Sequence, residues 1–213
     1  MRGLILNDFY KTFNGSKILI SLSVLIGAVI VMFMEQQIIV YGYIIGVILC
    51  LSLYSLSSVR KDMETKWNRY EVTLPIKRKE IIKSKYIFSL IYLLISLFVT
   101  VMFVLAIVAI KEYEYFDFGM KDIITLYILS IALVFQIISF FYMTVYLFSF
   151  EYIDIAMIIS VVLSLILTGT LVKLLNKRDI TIEDGRIIII VISTFILYIS
   201  YEVTKKLYRK NDI

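Results

Sequence analysis

Six long apolar runs dominate the sequence, at 18–34, 38–59, 86–110, 123–150, 155–172 and 187–203. The first five contain no charged residue, and the sixth contains only Glu202, next to its end. A hydrocarbon core about 30 Å thick takes roughly 20 apolar residues of helix per crossing. Lipid offers no hydrogen bonds to a backbone, so each crossing segment must satisfy its own amides as a helix. The runs at 123–150 and 155–172 are separated only by 151–154. Together they are far too long for one span, so they predict a tight helical hairpin. The fold class expected is all-α, a polytopic membrane protein with six transmembrane helices forming one membrane domain over 18–213. Hydrophobic residues make up 61% of the chain, against about 45–50% in a soluble domain. No length remains for a second, soluble domain.

Residues 1–17 are of mixed character. Leu4, Ile5, Phe9, Tyr10 and Phe13 recur at roughly helical spacing, with Asp8, Lys11 and Asn14 between them. This predicts an amphipathic elbow helix at the inner membrane interface; the alternative is a frayed polar terminus. No small-residue cleavage site follows the first apolar run, so that span is expected to stay.

Orientation follows from the distribution of Lys and Arg, which accumulate in cytoplasmic loops. With both termini inside, sixteen of the 22 basic residues lie on the cytoplasmic side, nine of them in the loop 60–85. Lys111, Lys121, Lys173, Lys177, Arg178 and Arg186 lie outside. A re-entrant fifth segment would leave five spans and put the C-terminus outside; the basic tail (Lys205, Lys206, Arg209, Lys210) argues for six. The expected location is the plasma membrane, multi-pass, with both termini cytoplasmic. The net charge of +5 then reflects loop bias, and no nucleic-acid partner is expected.

The chain has no histidine and one cysteine, Cys50. That removes Ser-His and Cys-His catalysis, most zinc sites and any intrachain disulfide. No catalytic, metal or cofactor-binding residue is expected, and no phosphate-binding Gly-x-x-x-x-Gly-Lys-Ser/Thr loop occurs.

The loop 60–85 contains Trp67, the only tryptophan, and Pro75, the only proline. Met63, Trp67, Tyr70 and Leu74 fall at three- and four-residue spacing among mixed charges, which predicts a short helix with one apolar edge. Pro75 has no amide donor and biases Leu74 away from helix, so a break is expected there. From about Lys77 a second helix should run into the third span. The apolar edge suits either of two roles. It could anchor at headgroup depth with its lysines on anionic lipid, or dock on a cytosolic partner.

The run Trp67-Asn68-Arg69-Tyr70, then Leu74-Pro75-Ile76-Lys77-Arg78-Lys79-Glu80-Ile81-Ile82 and Lys85-Tyr86, resembles the second cytoplasmic loop of small ABC-2 type permeases. The layout of six spans with both ends inside is similar to theirs. Lys77 departs from the pattern, standing where many relatives carry a helix-capping Ser. The resemblance implies a transporter half whose loop helix, a coupling helix, sits in a cleft of a separate ATP-binding subunit that binds ATP and Mg. On that reading the docking residues are Glu64, Lys66, Trp67, Asn68, Arg69, Tyr70, Glu71 and Thr73, with Leu74 and Pro75 as the break. A second permease chain, identical or related, would complete the pathway. Among relatives, Gram-positive exporters of phenol-soluble modulins and antimicrobial peptides share the small size and the loop, which implies export of amphipathic peptides or hydrophobic drugs.

Small residues line two spans: Gly42, Gly46 and Cys50 on the second, Ser160, Ser164 and Thr168 on the fifth. Such stripes let helix backbones approach closely. They serve either packing within one chain or, on the resemblance, the interface or pathway between two permease chains. Gln136 is the only strongly polar side chain far inside a span. An ion-coupled carrier normally keeps an intramembrane carboxylate, so its absence favours an apolar or amphipathic cargo driven from outside the membrane domain. Two other classes, a membrane-embedded enzyme and a non-catalytic scaffold or sensor subunit, would share the hydropathy. The first lacks its chemistry here, and the second gives no reason for the Leu-Pro loop.

Overall fold

The computed structural model describes residues 2–33, 37–73, 75–111, 120–148, 152–177 and 181–210. Among them are seven α-helices and no strand: α1 (Arg2–Phe33), α2 (Gln37–Glu64), α3 (Trp67–Thr73), α4 (Arg78–Lys111), α5 (Met120–Phe148), α6 (Ile153–Lys177) and α7 (Ile182–Lys210). All but α3 are long and apolar enough to cross a membrane, as the hydropathy predicts. Each extends beyond its apolar run at one end or both, because nothing at that edge forbids helix and continuing satisfies the backbone internally.

The largest difference from expectation is at the N-terminus. Residues 2–17 do not form a helix of their own; from Arg2 they run unbroken into the first span. The reason lies on the polar face. Leu4, Asp8, Thr12, Ser16 and Ser23 are buried, so this face turns toward the bundle while Tyr10 and Phe13 turn outward. Gly15 does not break the helix; it makes room for Tyr54 of α2. A Cβ at Gly15 would lie 1.9 Å from Tyr54 Oη, and that hydroxyl donates to the Thr12 carbonyl at 3.2 Å. One level along, a Cβ at Gly27 would lie 2.7 Å from Tyr43 Oη, which donates to the Ser23 carbonyl at 2.6 Å. Two glycines on α1 and two tyrosines on α2 thus lock these helices in register.

Helix α5 lies at the centre, packed most extensively on α7 and α6, while α1, α2 and α4 form the other half; α2 against α5 and α4 against α7 join the halves. The core is continuous, from Leu4 and Ile30 through Ile44, Ile82 and Phe103 to Val134, Phe141 and Tyr208. The fifth segment traverses the whole bundle. Asp154, at its start, pairs with Arg60 at 3.1 Å beside the basic loop, and Leu175, near its end, lies against Gly185. Gly185 belongs to the opposite end, where Lys121 pairs with Glu183 at 3.2 Å. Helix α7 opens there with Thr181 as cap: its hydroxyl accepts from the Asp184 amide at 3.3 Å and donates to the Asp184 carboxylate at 2.6 Å.

Candidate functional site

The basic loop folds differently in detail from the helix its spacing predicts. Helix α2 continues through Arg60 and ends at Glu64. There the Thr65 amide donates to the Lys61 carbonyl and the Lys66 amide to that of Met63, both at 3.0 Å. Lys66 takes φ 55°, the left-handed conformation that commonly ends a helix. The chain restarts as α3, only Trp67–Thr73. Beyond it comes Pro75, and α4 begins at Arg78, where the Glu80 amide donates to the Lys77 carbonyl at 2.7 Å. Lys77 therefore closes that first turn through its backbone. The apolar edge is split accordingly: Met63 ends on α2, and Trp67 and Tyr70 point different ways. Leu74 and the side chains of Asn68 and Arg69 lie outside the described residues.

The four-residue spacing puts Trp67 and Glu71 on the inner face of α3, and Tyr70 and Thr73 on the outer. Trp67 is half-buried; Tyr70 is 65% exposed. Lys11 of α1 places its ammonium 4.7 Å from the Trp67 ring centroid. With the Asn7 amide turned so that its oxygen meets the two donors, it accepts from Trp67 Nε1 at 3.3 Å and from Lys11 Nζ at 2.8 Å. Trp67 is thus an inward anchor for α3, and Tyr70 is the aromatic group it presents outward. Glu64, Lys66 and Thr73 are exposed, and Glu71 is buried.

Beneath α3 lies a cluster of buried charges. Lys85 of α4, 3% exposed, pairs with Asp8 of α1 at 2.8 Å and with Asp62 of α2. Asp62 pairs also with Lys11. Lys61 adds a bond to the Lys11 carbonyl at 2.6 Å. Glu71 completes the group from α3, in electrostatic contact with Lys85, Asp62, Asp8 and Lys11. Burial, reinforced by Asp62 and Asp8 and opposed by Lys85 and Lys11, pushes the Glu71 carboxyl up from 4.5 to about 7. Three long helices and α3 therefore share one ionic knot. Breaking one partner of such a buried pair costs about 3–5 kcal/mol, because it strands an uncompensated charge.

A layer of hydroxyls continues inward from the knot. The Tyr142 hydroxyl donates to the Lys85 carbonyl at 3.1 Å and meets Ser89 Oγ at 3.0 Å. Tyr86 meets Ser200 at 2.8 Å and Thr204 at 3.2 Å, and Tyr92 meets Thr12 at 2.8 Å. Deeper still, Gln136 donates to Ser193 at 2.9 Å and accepts from Thr168 at 2.9 Å. It ties α5 to α7 and α6 with its polar atoms satisfied.

The two small-residue stripes differ in placement. Ser160, Ser164 and Thr168 are buried, and the two serines bond back to carbonyls of their own helix at 2.7 and 2.8 Å. Gly42 and Cys50 are exposed and Gly46 half-exposed, and a Cβ at either glycine would meet nothing within 4 Å. Within this chain the close approaches belong to Gly15 and Gly27.

The sequence pattern put Asp8 on the polar side of an elbow, and Asp62 and Lys85 in a basic cytoplasmic loop. All three are buried. The available signal was a polar stripe on each helix: Asp8, Thr12, Ser16 and Ser23 on α1; Ser52, Ser55, Ser58 and Asp62 on α2; Lys85, Ser89, Ser96 and Thr100 on α4. In lipid the polar side of a span faces inward, and these stripes converge on the knot.

Fold and site together define a polytopic helical membrane protein that carries a short helix clamped to three of its spans at one end. A family model described as ABC-2 family transporter protein matches residues 3–209. The chain belongs to that family and is a membrane-spanning transport component, ATP hydrolysis being the work of partner subunits. The comparison with curated proteins gives no match, and neither does that with solved structures.

Proposed function

We propose that this permease subunit is half of an exporter's membrane domain, and that the outer face of α3 docks on the ATP-binding subunit. Tyr70 would seat in that subunit's cleft, with Glu64, Lys66 and Thr73 at its margin. ATP and Mg would be bound by the partner. Termini and basic loop would then all face the cytoplasm, in keeping with the sixteen basic residues on that side. The observation that carries this reading is the clamp on α3. Its inner residues, Trp67 and Glu71, meet charges from α1, α2 and α4, so a push on its outer face is transmitted to three spans together.

The cargo we infer is an amphipathic peptide or a hydrophobic drug. A cavity of about 400 Å³ opens between α1, α2, α5 and α6, lined by Leu53, Phe141, Ile153 and Met157 with Arg60 and Asp154 at its rim. Apolar walls with a charged mouth suit an amphiphile. A second permease chain would close the pathway, with the exposed Gly42–Gly46–Cys50 face of α2 available to it. Co-expression with an ATP-binding subunit tests the docking. Tyr70→Ala should abolish co-purification and cargo-stimulated ATPase activity, and Trp67→Ala should weaken both by loosening α3. Assembly and coupling that survive both substitutions would refute it.

A further inference from the structure

We propose that Asp8, Lys11, Asp62, Glu71 and Lys85 form a proton-binding site: the cluster takes up one proton, on Glu71, and that proton sets how firmly α3 is held to the bundle. Charge balance is the first ground. Three carboxylates share the ammonium groups of Lys11 and Lys85, while Lys61 spends its ammonium on the Lys11 carbonyl at the margin. Among the described residues the cluster's own ion pairs leave one carboxylate without a cation, in a site where Asp8, Asp62, Glu71 and Lys85 are each under 5% exposed. A buried net charge is costly unless paired or neutralised. One proton restores neutrality without moving a helix.

The pairing leaves Asp8 and Glu71 as the carboxylates to take it, and Asp8 already holds Lys85 on one oxygen. Asp62 is paired on both oxygens, one with Lys11 and the other with Lys85. Asp8 receives Lys85 on Oδ1, while its Oδ2 is buried with no hydrogen-bond partner among the described residues. The lysines are thus committed to the aspartates, and the negative charge is least compensated between Asp8 Oδ2 and Glu71. Glu71 is also the only member carried by the short helix, so its ionisation acts on the element that can yield. Among the described residues, the groups electrostatically coupled to Glu71 include Asp8 and Lys11 from α1, Asp62 from α2, Lys85 from α4, Tyr146 from α5 and Tyr208 from α7, and Arg78 of α4 acts on the same Tyr208. With no histidine in the chain, no other side chain ordinarily titrates near neutrality.

This inference concerns the chain alone and does not rest on docking to an ATPase. Trp67, the only tryptophan, reports on α3. The chain is purified into nanodiscs of zwitterionic lipid, and Trp67 emission and acrylamide quenching are followed from about pH 5.5 to 8.5. As pH rises the emission maximum should move to the red and quenching should increase, with one midpoint between about pH 6 and 8. Glu71→Gln should hold the low-pH signal throughout. Asp8→Asn, which removes a neighbouring negative charge, should move the midpoint to lower pH. A wild-type signal that does not titrate, a folded Glu71→Gln chain that titrates like wild type, or an Asp8→Asn midpoint that stays or rises would each overturn the proposal.

Discussion

Replacing Lys85 with Met tests whether the ionic knot holds the bundle together. Methionine matches the length of the lysine stem and fills irregular space well, so the change removes charge with little loss of volume. Lys85 is 3% exposed, 2.8 Å from Asp8 and paired also with Asp62. Asp62 keeps Lys11; Asp8 is left buried with no cation paired at either oxygen among the described residues. Stranding a buried charge in this way costs about 3–5 kcal/mol. For a chain of this size about 1 kcal/mol moves Tm by roughly 2–4 °C, so the expected fall is roughly 6–20 °C in detergent. The double variant Asp8→Asn/Lys85→Met removes the stranded charge and should recover a large part of that loss. Thermal unfolding followed by Trp67 emission reads both. A Lys85→Met chain within about 2 °C of wild type, or a double variant no more stable than the single, would refute the reasoning.

Three further outcomes follow from the packing and the charges. Gly15→Ala puts a Cβ 1.9 Å from Tyr54 Oη, and such overpacking should destabilise by about 1–3 kcal/mol, whereas Gly42→Ala, with nothing within 4 Å of the new atom, should leave the Tm of the isolated chain unchanged. Gln136→Leu leaves the buried Ser193 and Thr168 hydroxyls without their partner and should cost about 1–3 kcal/mol by thermal unfolding. Because burial raises the Glu71 carboxyl from 4.5 to about 7, the folded chain holds a proton that the unfolded chain has lost across that window. Stability should therefore fall as pH rises from 4.5 to about 7, by on the order of 3 kcal/mol at about 1.36 kcal/mol per pH unit. Denaturant titrations at several pH values should show this slope, and Glu71→Gln should reduce it.

The six spans were legible because each apolar run has the length of a bilayer crossing, and lipid leaves a backbone little choice but helix. The loop helix was legible as a helix and a break, since Pro75 must interrupt it. Its boundaries were not, because the turn at Lys66 is made by a residue with no sequence mark for a left-handed conformation. The buried charge cluster was not legible. Asp62 and Lys85 were read as parts of a basic cytoplasmic loop, and Asp8 as the polar side of an interfacial helix. Asp8 and Lys85 are 77 positions apart in sequence, and nothing local records that they meet. What the sequence does carry is the period of the hydroxyl stripes, which runs from Thr100 down α4 to Lys85 and from Ser23 down α1 to Asp8. Gly42 and Gly46 match a packing motif yet lie open within this chain, while Gly15 and Gly27, which match none, make the close contacts.

The measurement that bears most directly on the transport account is site-specific cross-linking at α3. In a Cys50→Ser background, which removes the one native thiol, a cysteine at Tyr70 is co-expressed with an ATP-binding subunit and treated with a short bifunctional thiol reagent. The account predicts that Tyr70→Cys cross-links to the ATP-binding subunit with a yield that changes on adding ATP. A cysteine at Lys121, at the opposite end of the bundle, should give no product. Cross-linking at Lys121 with none at Tyr70 would contradict it.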